Sequence, residues 1–294
     1  IIGCKPEFHQ FDLCDEAKTA AFIKSNPDIK GIIHFAAFKA VGESVQKPLA
    51  YYRNNFFSLI NLLSAYKEAS INFVFSSSCT VYGQPDSLPV TESAPVKKAE
   101  SPYGNTKQIA EEILAEIASV NKNYNIVALR YFNPVGAHET ALIGELPIGV
   151  PQNLVPFITQ TAIGKREKIT VFGDDYNTPD GSCIRDYIHV VDLAKAHVAA
   201  IKRMEEGKSA DNYEVFNIGT GKGTTVLEII NAFEKSTGQK LNYIIGPRRS
   251  GDIEQIFGDA TKSSKVLGWT AELNVEDMMK SAWEWEKYIA KNPF

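Results

Sequence analysis

The sequence is short of several things, and each shortage excludes a class of protein. It has no apolar run of the roughly 18 residues that a membrane-spanning helix needs. It has no CxxC pair; Cys4, Cys14, Cys79 and Cys183 stand far apart. That excludes a disulfide framework and is the expectation for reduced thiols in a cytoplasmic chain with no secretory leader. Its five histidines show no ligand spacing with cysteines or carboxylates, so no metal site is expected. It lacks positive excess. Lys and Arg total 31 against 35 Asp and Glu, a formal charge of −4, unlike a general nucleic-acid binder. Internal repeats, low-complexity tracts and clean linkers are also missing. So is an initiator methionine, since the chain opens on Ile1-Ile2-Gly3-Cys4.

What is present is an alternation. Of 294 residues, 44% are apolar and 22% charged, the balance of a globular chain. A chain of this length buries roughly three quarters of its unfolded surface. Helical patterns cover Asp15 to Ser25, Pro48 to Ala69 and Pro102 to Val120. Between them lie continuous apolar strands, Gly31 to Ala37, Ile71 to Ser78 and Asn125 to Phe132. Apolar strands alternating with helices predict a doubly wound α/β fold with a parallel sheet covered on both faces. Ligands in such folds sit beyond the carboxyl ends of the strands. After Asn133-Pro134 the texture changes, and Ala137 to Gln152 has little regular period. Helices are expected again over Asn153 to Gly164, His189 to Met204, Val226 to Thr237 and Val275 to Ala290. Strands are expected over Ile169 to Phe172 and Tyr213 to Ile218, and a polar loop over Gly173 to Cys183.

The sharpest chemical signal is Ser101-Pro102-Tyr103-Gly104-Asn105-Thr106-Lys107. Ser101 suits a helix N-cap and Pro102 the first helical position. Tyr103 and Lys107 then share one helix face. An ammonium beside a phenol lowers the phenol pKa, which makes Tyr103 an expected general base. Such pairs also arise by chance on amphipathic helices. Ser76-Ser77-Ser78 adds weight, because it ends an apolar strand where a hydroxyl can reach a substrate oxygen. The blander reading is that the serines cap the strand and bond the next turn.

Ser78 with Tyr103-x-x-x-Lys107 resembles the catalytic set of the extended short-chain dehydrogenase/reductase family. Within it, the chain is similar to the UDP-glucose 4-epimerase family. The segments that carry the likeness are Phe35 to Ser44, Ser76 to Gly83, Arg130 to His138, Arg185 to His189 and Arg248 to Asp252. They run in the family's order along essentially the whole chain. The resemblance implies a Rossmann-like fold, a tightly held NAD and interconversion of UDP-galactose and UDP-glucose in galactose metabolism. Tyr103 would take the proton from the sugar C4 hydroxyl, Lys107 would hold the phenolate and the nicotinamide ribose, and Ser78 would bond the C4 oxygen or Tyr103. The 4-keto sugar would then turn over and recover its hydride on the other face.

The resemblance also implies cofactor contacts. Asp12 and Leu13 would meet the adenine, and Asn54 the adenine side. Phe35, Ala36, Ala37 and Lys39 would lie beneath the cofactor, and Phe132 near the nicotinamide. Lys39, Asn133, Asn153 and Leu154 would meet the sugar, the diphosphate and their surroundings. Thr170, Val171 and Phe172 would hold uracil. Arg185 and Arg249 would bind the diphosphate, Asp252 a ribose hydroxyl, and Tyr187 and Ile256 would complete the substrate pocket. Outside the resemblance, Phe35 reads as strand packing and each arginine as a solvated charge.

The family's opening strand, Gly-rich phosphate turn and second strand have no counterpart here, so an N-terminally truncated fold is expected. Such a chain would expose apolar surface and be unstable alone. The expected organisation is a dinucleotide-binding domain over 1–132 and a smaller interleaved substrate lobe mainly over 133–294. A homodimer through Pro48 to Ala69 and Pro102 to Val120 is implied, with no nucleic-acid or membrane partner. Alternatives are a 4-epimerase of a UDP-N-acetylhexosamine, pentose or uronate, and a non-catalytic nucleotide-sugar binder. A 4,6-dehydratase is disfavoured, because an Asp-Glu pair follows the hydroxyl residue there and Cys79-Thr80 follows Ser78 here. His34 reads as a core histidine. Gly219-Thr220-Gly221-Lys222-Gly223 reads as a turn without the P-loop spacing. Trp269, Trp283 and Trp285 read as packing for the C-terminal helices.

Overall fold

The computed structural model describes residues 3–66, 70–249 and 252–293. Helix α1 (Glu16–Ser25) starts where the Asp15 carboxylate accepts from Lys18 N, which caps a first turn that also carries Glu16. Strand β1 (Gly31–His34) follows. It stops before the predicted Ala37, because the chain turns across the strand ends and Asn55 holds both backbone groups of Phe38 there. A short helix α2 (Val41–Gln46), too brief for a periodic signal, leads into α3 (Pro48–Ala65). The rest of the helix expected up to Ala69 lies partly outside the described residues. Strand β2 (Ile71–Ser78), helix α4 (Pro102–Val120) and strand β3 (Tyr124–Tyr131) come next, at or within one residue of their predicted bounds.

The second half adds β4 (Asn133–Val135), α5 (Leu154–Ala162), β5 (Ile169–Phe172), β6 (Ile184–Arg185) and β7 (Tyr187–His189). Then come α6 (Val190–Glu205), β8 (Tyr213–Ile218), β9 (Thr224–Thr225), α7 (Val226–Thr237), β10 (Tyr243–Gly246), β11 (Gln255–Ile256) and α8 (Val275–Lys291). Thr225 and Asn274 build reciprocal capping boxes at the starts of α7 and α8.

The central sheet is parallel, in the order β1-β2-β3-β8. Its last strand comes from the second half of the chain, so the two halves interleave. Alternation along the strands divides the core. Phe73, Phe75, Ile126 and Ala128 face α1, α3 and α4, against Ile23, Leu59, Leu62, Leu63 and Leu114. Val74, Val127, Leu129, Phe216 and Ile218 face α6, against Leu193, Ala196, Ala200 and Met204. A separate cluster joins α5, α7 and α8 around Ile158, Ile229, Phe233, Met278 and Trp283. Small sheets, β11-β6-β9, β4-β7 and β10-β5, connect the two parts. The free edge of β1 carries an apolar groove of about 410 Å³ lined by Leu13, Phe22, Ile29, Ile32 and His34, with Phe35 exposed at its end. No helix among the described residues is long and apolar enough to cross a membrane.

Candidate active site

Ser101 and Pro102 start α4 at the carboxyl end of the sheet. The Ser101 hydroxyl accepts from Gly104 N at 3.1 Å, and Pro102 occupies the first turn. Tyr103 and Lys107 therefore stand one turn apart, facing the end of β2. The Ser78 side chain stands near the Tyr103 hydroxyl, and its Oγ accepts from Thr80 N at 3.3 Å. Lys107 is buried, and its Nζ donates to the Ser76 carbonyl at 2.7 Å. It lies 4.8 Å from the Phe75 ring centroid and 5.8 Å from that of Tyr103.

The electrostatics differ from the sequence-based expectation. Burial pushes the Tyr103 hydroxyl above the ordinary phenol range, with Tyr131 adding to the rise and the Ser78 side chain opposing it. The expected lowering by Lys107 does not appear, because its ammonium is directed at the Ser76 carbonyl. Burial lowers Lys107 itself to about 8, against an upward pull from Glu111. The protein alone thus holds a neutral phenol beside a lysine whose pKa has fallen toward neutrality. Charge brought in by a ligand would act on both.

Behind this trio sits a buried ionic knot that the sequence reading missed. Glu111, two turns along α4 from Tyr103, accepts from Ser77 Oγ at 2.5 Å and from Arg130 Nε at 3.0 and 3.1 Å. Ser77 and Arg130 are register partners on β2 and β3. The knot fixes α4 against the strand end that bears Ser76 and Ser78. On the opposite sheet face Ser76 Oγ bonds the Tyr131 hydroxyl. The signal for Glu111 was its helical spacing from Tyr103 and Lys107.

The residues expected on the cofactor side line the ends of β1 and α3. Phe35, Ala36 and Lys39 are exposed in the loop that leaves β1, and Ala37 is half-buried. Asn55, also missed, accepts from Phe38 N at 2.8 Å and donates to Phe38 O at 3.1 Å and Thr106 Oγ1 at 3.0 Å. It joins that loop to the catalytic helix. Asn54 donates to Asn55 Oδ1 and accepts weakly from the Cys14 thiol. Asp12 accepts from Cys14 N at 2.8 Å, and Leu13 packs on the core. Asp12, Leu13 and Asn54 thus share one corner, apart from Tyr103 and Phe132. The open loop across parallel strand ends fits a dinucleotide there. Tyr103, Lys107 and Phe132 would hold its nicotinamide end.

The residues expected on the substrate side form three groups. Phe132 and Ile256 are both buried, in one cluster with Cys79, Tyr82 and Val90. Asn133 and Tyr187 are register partners on β4 and β7. Arg185 lies 3.9 Å from Asp252, and Arg249 pairs with the same carboxylate at 2.7 Å while its guanidinium lies 5.5 Å from the Phe172 ring. Here Asp252 binds the arginines, so the expected ribose and diphosphate contacts require this pairing to open or be shared. Thr170 and Val171 precede Phe172 on β5, which pairs with β10. Lys39 and Asn153 meet through the unpredicted Glu145, at 3.8 and 2.7 Å, and Leu154 opens α5 beside them.

The remaining motifs resolve as packing. His34 is buried between Phe73 and Phe75, and burial lowers it to about 3. Trp269, Trp283 and Trp285 are buried beside the C-terminal elements. Gly219-Thr220-Gly221 is a turn, with Gly221 at φ +76°, and its amides bind the Asp186 carboxylate.

Comparison with known proteins gives a consistent picture. The family model described as GDP-mannose 4,6 dehydratase matches residues 3–282. UDP-glucose 4-epimerase of Pasteurella multocida is 48% identical over 294 residues, covering 100% of this chain and 85% of that protein. The solved UDP-glucose 4-epimerase from Stenotrophomonas maltophila, with bound NAD and formylated UDP-arabinopyranose, is 45% identical with a TM-score of 0.93. It covers 98% of this chain and 85% of that one. The enzyme from Bifidobacterium longum, in complex with NAD+ and UDP, is 47% identical with a TM-score of 0.91, covering 98% and 84%.

Proposed function

This chain belongs to the UDP-glucose 4-epimerase family of the extended short-chain dehydrogenase/reductases, and we propose that it interconverts UDP-galactose and UDP-glucose. The observation that carries this reading is the placement of Tyr103, with Lys107 one turn along α4 and bonded to the Ser76 carbonyl, against the end of β2 that bears Ser78, at the carboxyl end of a parallel sheet.

When bound, NAD supplies the acceptor and the donor of the C4 hydride and ends as it began. The chain's own residues do the rest. Ser78 and Tyr103 present two adjacent oxygens to the C4 hydroxyl. Tyr103 takes its proton as the C4 carbon is oxidised and gives it back after the sugar has turned. Lys107, fixed by the Ser76 carbonyl one turn from Tyr103, would hold the nicotinamide ribose and would favour the phenolate once the bound cofactor draws its ammonium toward Tyr103. Phe132 and Ile256 give the sugar an apolar wall that excludes water. Arg185 and Arg249 hold the diphosphate, which suits planar forks of permanent charge. Thr170, Val171 and Phe172 hold the uracil, and Asn133, Asn153, Leu154, Tyr187 and Lys39 border the sugar and phosphates. Asp12, Leu13 and Asn54 serve the adenine side, and Phe35, Ala36 and Ala37 the cofactor's underside. In this reading 1–132 is mainly the dinucleotide unit and 133–294 mainly the substrate lobe.

The test is Tyr103→Phe, which keeps the ring and removes the base. Conversion of UDP-galactose to UDP-glucose should fall by about 10²–10⁴-fold, the range for general acid–base catalysis, with UDP binding retained. Turnover equal to the parent's would overturn the mechanism. We also propose a homodimer in the cytoplasm. Support comes from α3, which packs on α4 and exposes Leu49, Phe57 and Ile60. Light scattering that gives a monomer at micromolar concentration would reject the dimer.

A further inference from the structure

The fully buried Asp186 lies between two residues that the proposed function gives to substrate, yet its own carboxylate is bonded by groups of the protein. Its carboxylate accepts from Thr220 N at 2.9 Å, Thr220 Oγ1 at 2.6 Å, Gly221 N at 3.2 Å and Gly258 N at 3.4 Å. Its backbone carbonyl accepts from Asn133 N at 3.0 Å, and its backbone amide donates to Ile256 O at 3.2 Å. One residue therefore ties the end of β8, the start of β4 and the end of β11. Those segments come from the central sheet and from the small sheets that border the substrate.

The tied backbone grips Phe132. A Cβ placed on Gly258 would come 2.5 Å from Phe132 Cε2 and Cζ. A Cβ placed on Gly219 would come 3.0 Å from Phe132 Cδ2 and would collide with the Asp186 carboxylate. The ring is thus wedged between two glycine backbones, both next to amides that Asp186 holds. Ile256, held by the Asp186 amide, packs in the same cluster as Phe132.

We infer that Asp186 is a positioning residue: through Thr220, Gly221, Gly258 and Ile256 it sets Phe132 and so retains the oxidised sugar while it turns. This rests on the epimerase reading above. Epimerisation needs a wall tight enough to keep a 4-keto sugar and open enough to let it rotate. Displacement of such a wall by about 1 Å is enough to cost on the order of 10²-fold in rate. A loosened wall would release the keto sugar before the hydride returns, and the cofactor, when bound, would then keep that hydride.

The test compares the wild type with Asp186→Asn and Thr220→Val. The asparagine amide turns an N–H toward donors that now meet an oxygen. The valine removes only the hydroxyl bond and leaves the carboxylate in place. Three readouts are used: kcat, near-ultraviolet absorbance of reduced nicotinamide during turnover, and hydrogen exchange without added cofactor. Expected for Asp186→Asn is a kcat about ten- to a hundredfold lower, with reduced nicotinamide accumulating. Amides of Thr220, Gly221 and Gly258 should exchange faster while those of β2 and β3 keep their protection. Thr220→Val should move each readout the same way by less, and it carries the test if Asp186→Asn fails to fold. Variants that lose only thermal stability, with wild-type kcat per folded molecule and no accumulation, would overturn the inference. A wild type unable to convert UDP-galactose would instead sink the epimerase reading, and the exchange result alone would then decide whether Asp186 holds the joint.

Discussion

Lys107→Met should make the protein more stable at neutral pH while abolishing its activity. Burial lowers the Lys107 pKa from 10.5 to about 8. At about 1.4 kcal/mol per pKa unit, keeping the ammonium inside the fold costs about 3 kcal/mol. The sign follows from proton counts. Between pH 8 and 10.5 the unfolded chain binds the proton more readily than the folded one, so the wild type gains stability as pH rises through that window. Below 8 the full cost is present. Methionine removes it but also removes the Nζ donor to the Ser76 carbonyl, a loss of about 1–3 kcal/mol. The variant should therefore gain about 1 kcal/mol at pH 7. Its lead should shrink by about 2 kcal/mol by pH 9.5, which makes it the less stable protein there. Urea melts of both proteins at pH 7, 8.5 and 9.5, with equal m values, measure this. A stability difference that stays constant from pH 7 to 9.5 would refute the reasoning, because no other group separates the two chains.

Three further outcomes follow from packing and hydrogen bonding. Arg130→Met leaves Glu111 buried with, among the described residues, Ser77 and Tyr213 as partners and should cost about 3–5 kcal/mol, with most of it recovered by adding Glu111→Leu; a loss under about 1 kcal/mol in urea would contradict a buried ion pair. Gly258→Ala drives a methyl into Phe132 and should cost about 1–3 kcal/mol, read as a lower Tm. Asn55→Ala removes the bonds to Phe38 and Thr106 and should cost about 2–4 kcal/mol, while NAD is lost more readily and UDP binding holds; unchanged NAD retention would show that the 35–39 loop is held by other groups.

The long elements were readable because each carries its own period and cap. Ile71 to Ser78 and Pro102 to Val120 match their predicted bounds. Strands of two or three residues, such as Ile184–Arg185 and Gln255–Ile256, carry no period at all. Their existence depends on neighbours far along the chain. The Ser78, Tyr103 and Lys107 trio was legible from spacing and resemblance. The ionisation of Tyr103 was not, because spacing says that two side chains share a face and not where an ammonium points. Glu111, Asn55, Glu145 and Asp186 were missed for a common reason. Each acts through long-range partners, Arg130, Phe38, Lys39 and Gly258 among them, that no local pattern connects.

The residues after Ser78 also decide between two reactions that share C4 oxidation. A family model described by a dehydratase matches this chain, so the distinction has to come from the site. Elimination of water after C4 oxidation needs one group to take the C5 proton and another to protonate the departing hydroxyl. Cys79 and Thr80 stand where that pair would be needed, in the short helical turn capped by Ser78. Burial pushes the Cys79 thiol up to about 12, so it stays protonated at neutral pH and is no base. The Thr80 hydroxyl is buried and cannot ionise in the working range. The turn packs Cys79 against Val81, Tyr82 and Phe132, which closes it as a reactive face. Without an acid–base pair in this turn, the course that the epimerase reading leaves to the oxidised sugar is to turn and recover its hydride. Product analysis of UDP-glucose turnover should accordingly show UDP-galactose and no 6-deoxy-4-keto sugar, and detection of the deoxy product would mean that an acid–base pair operates from outside this turn.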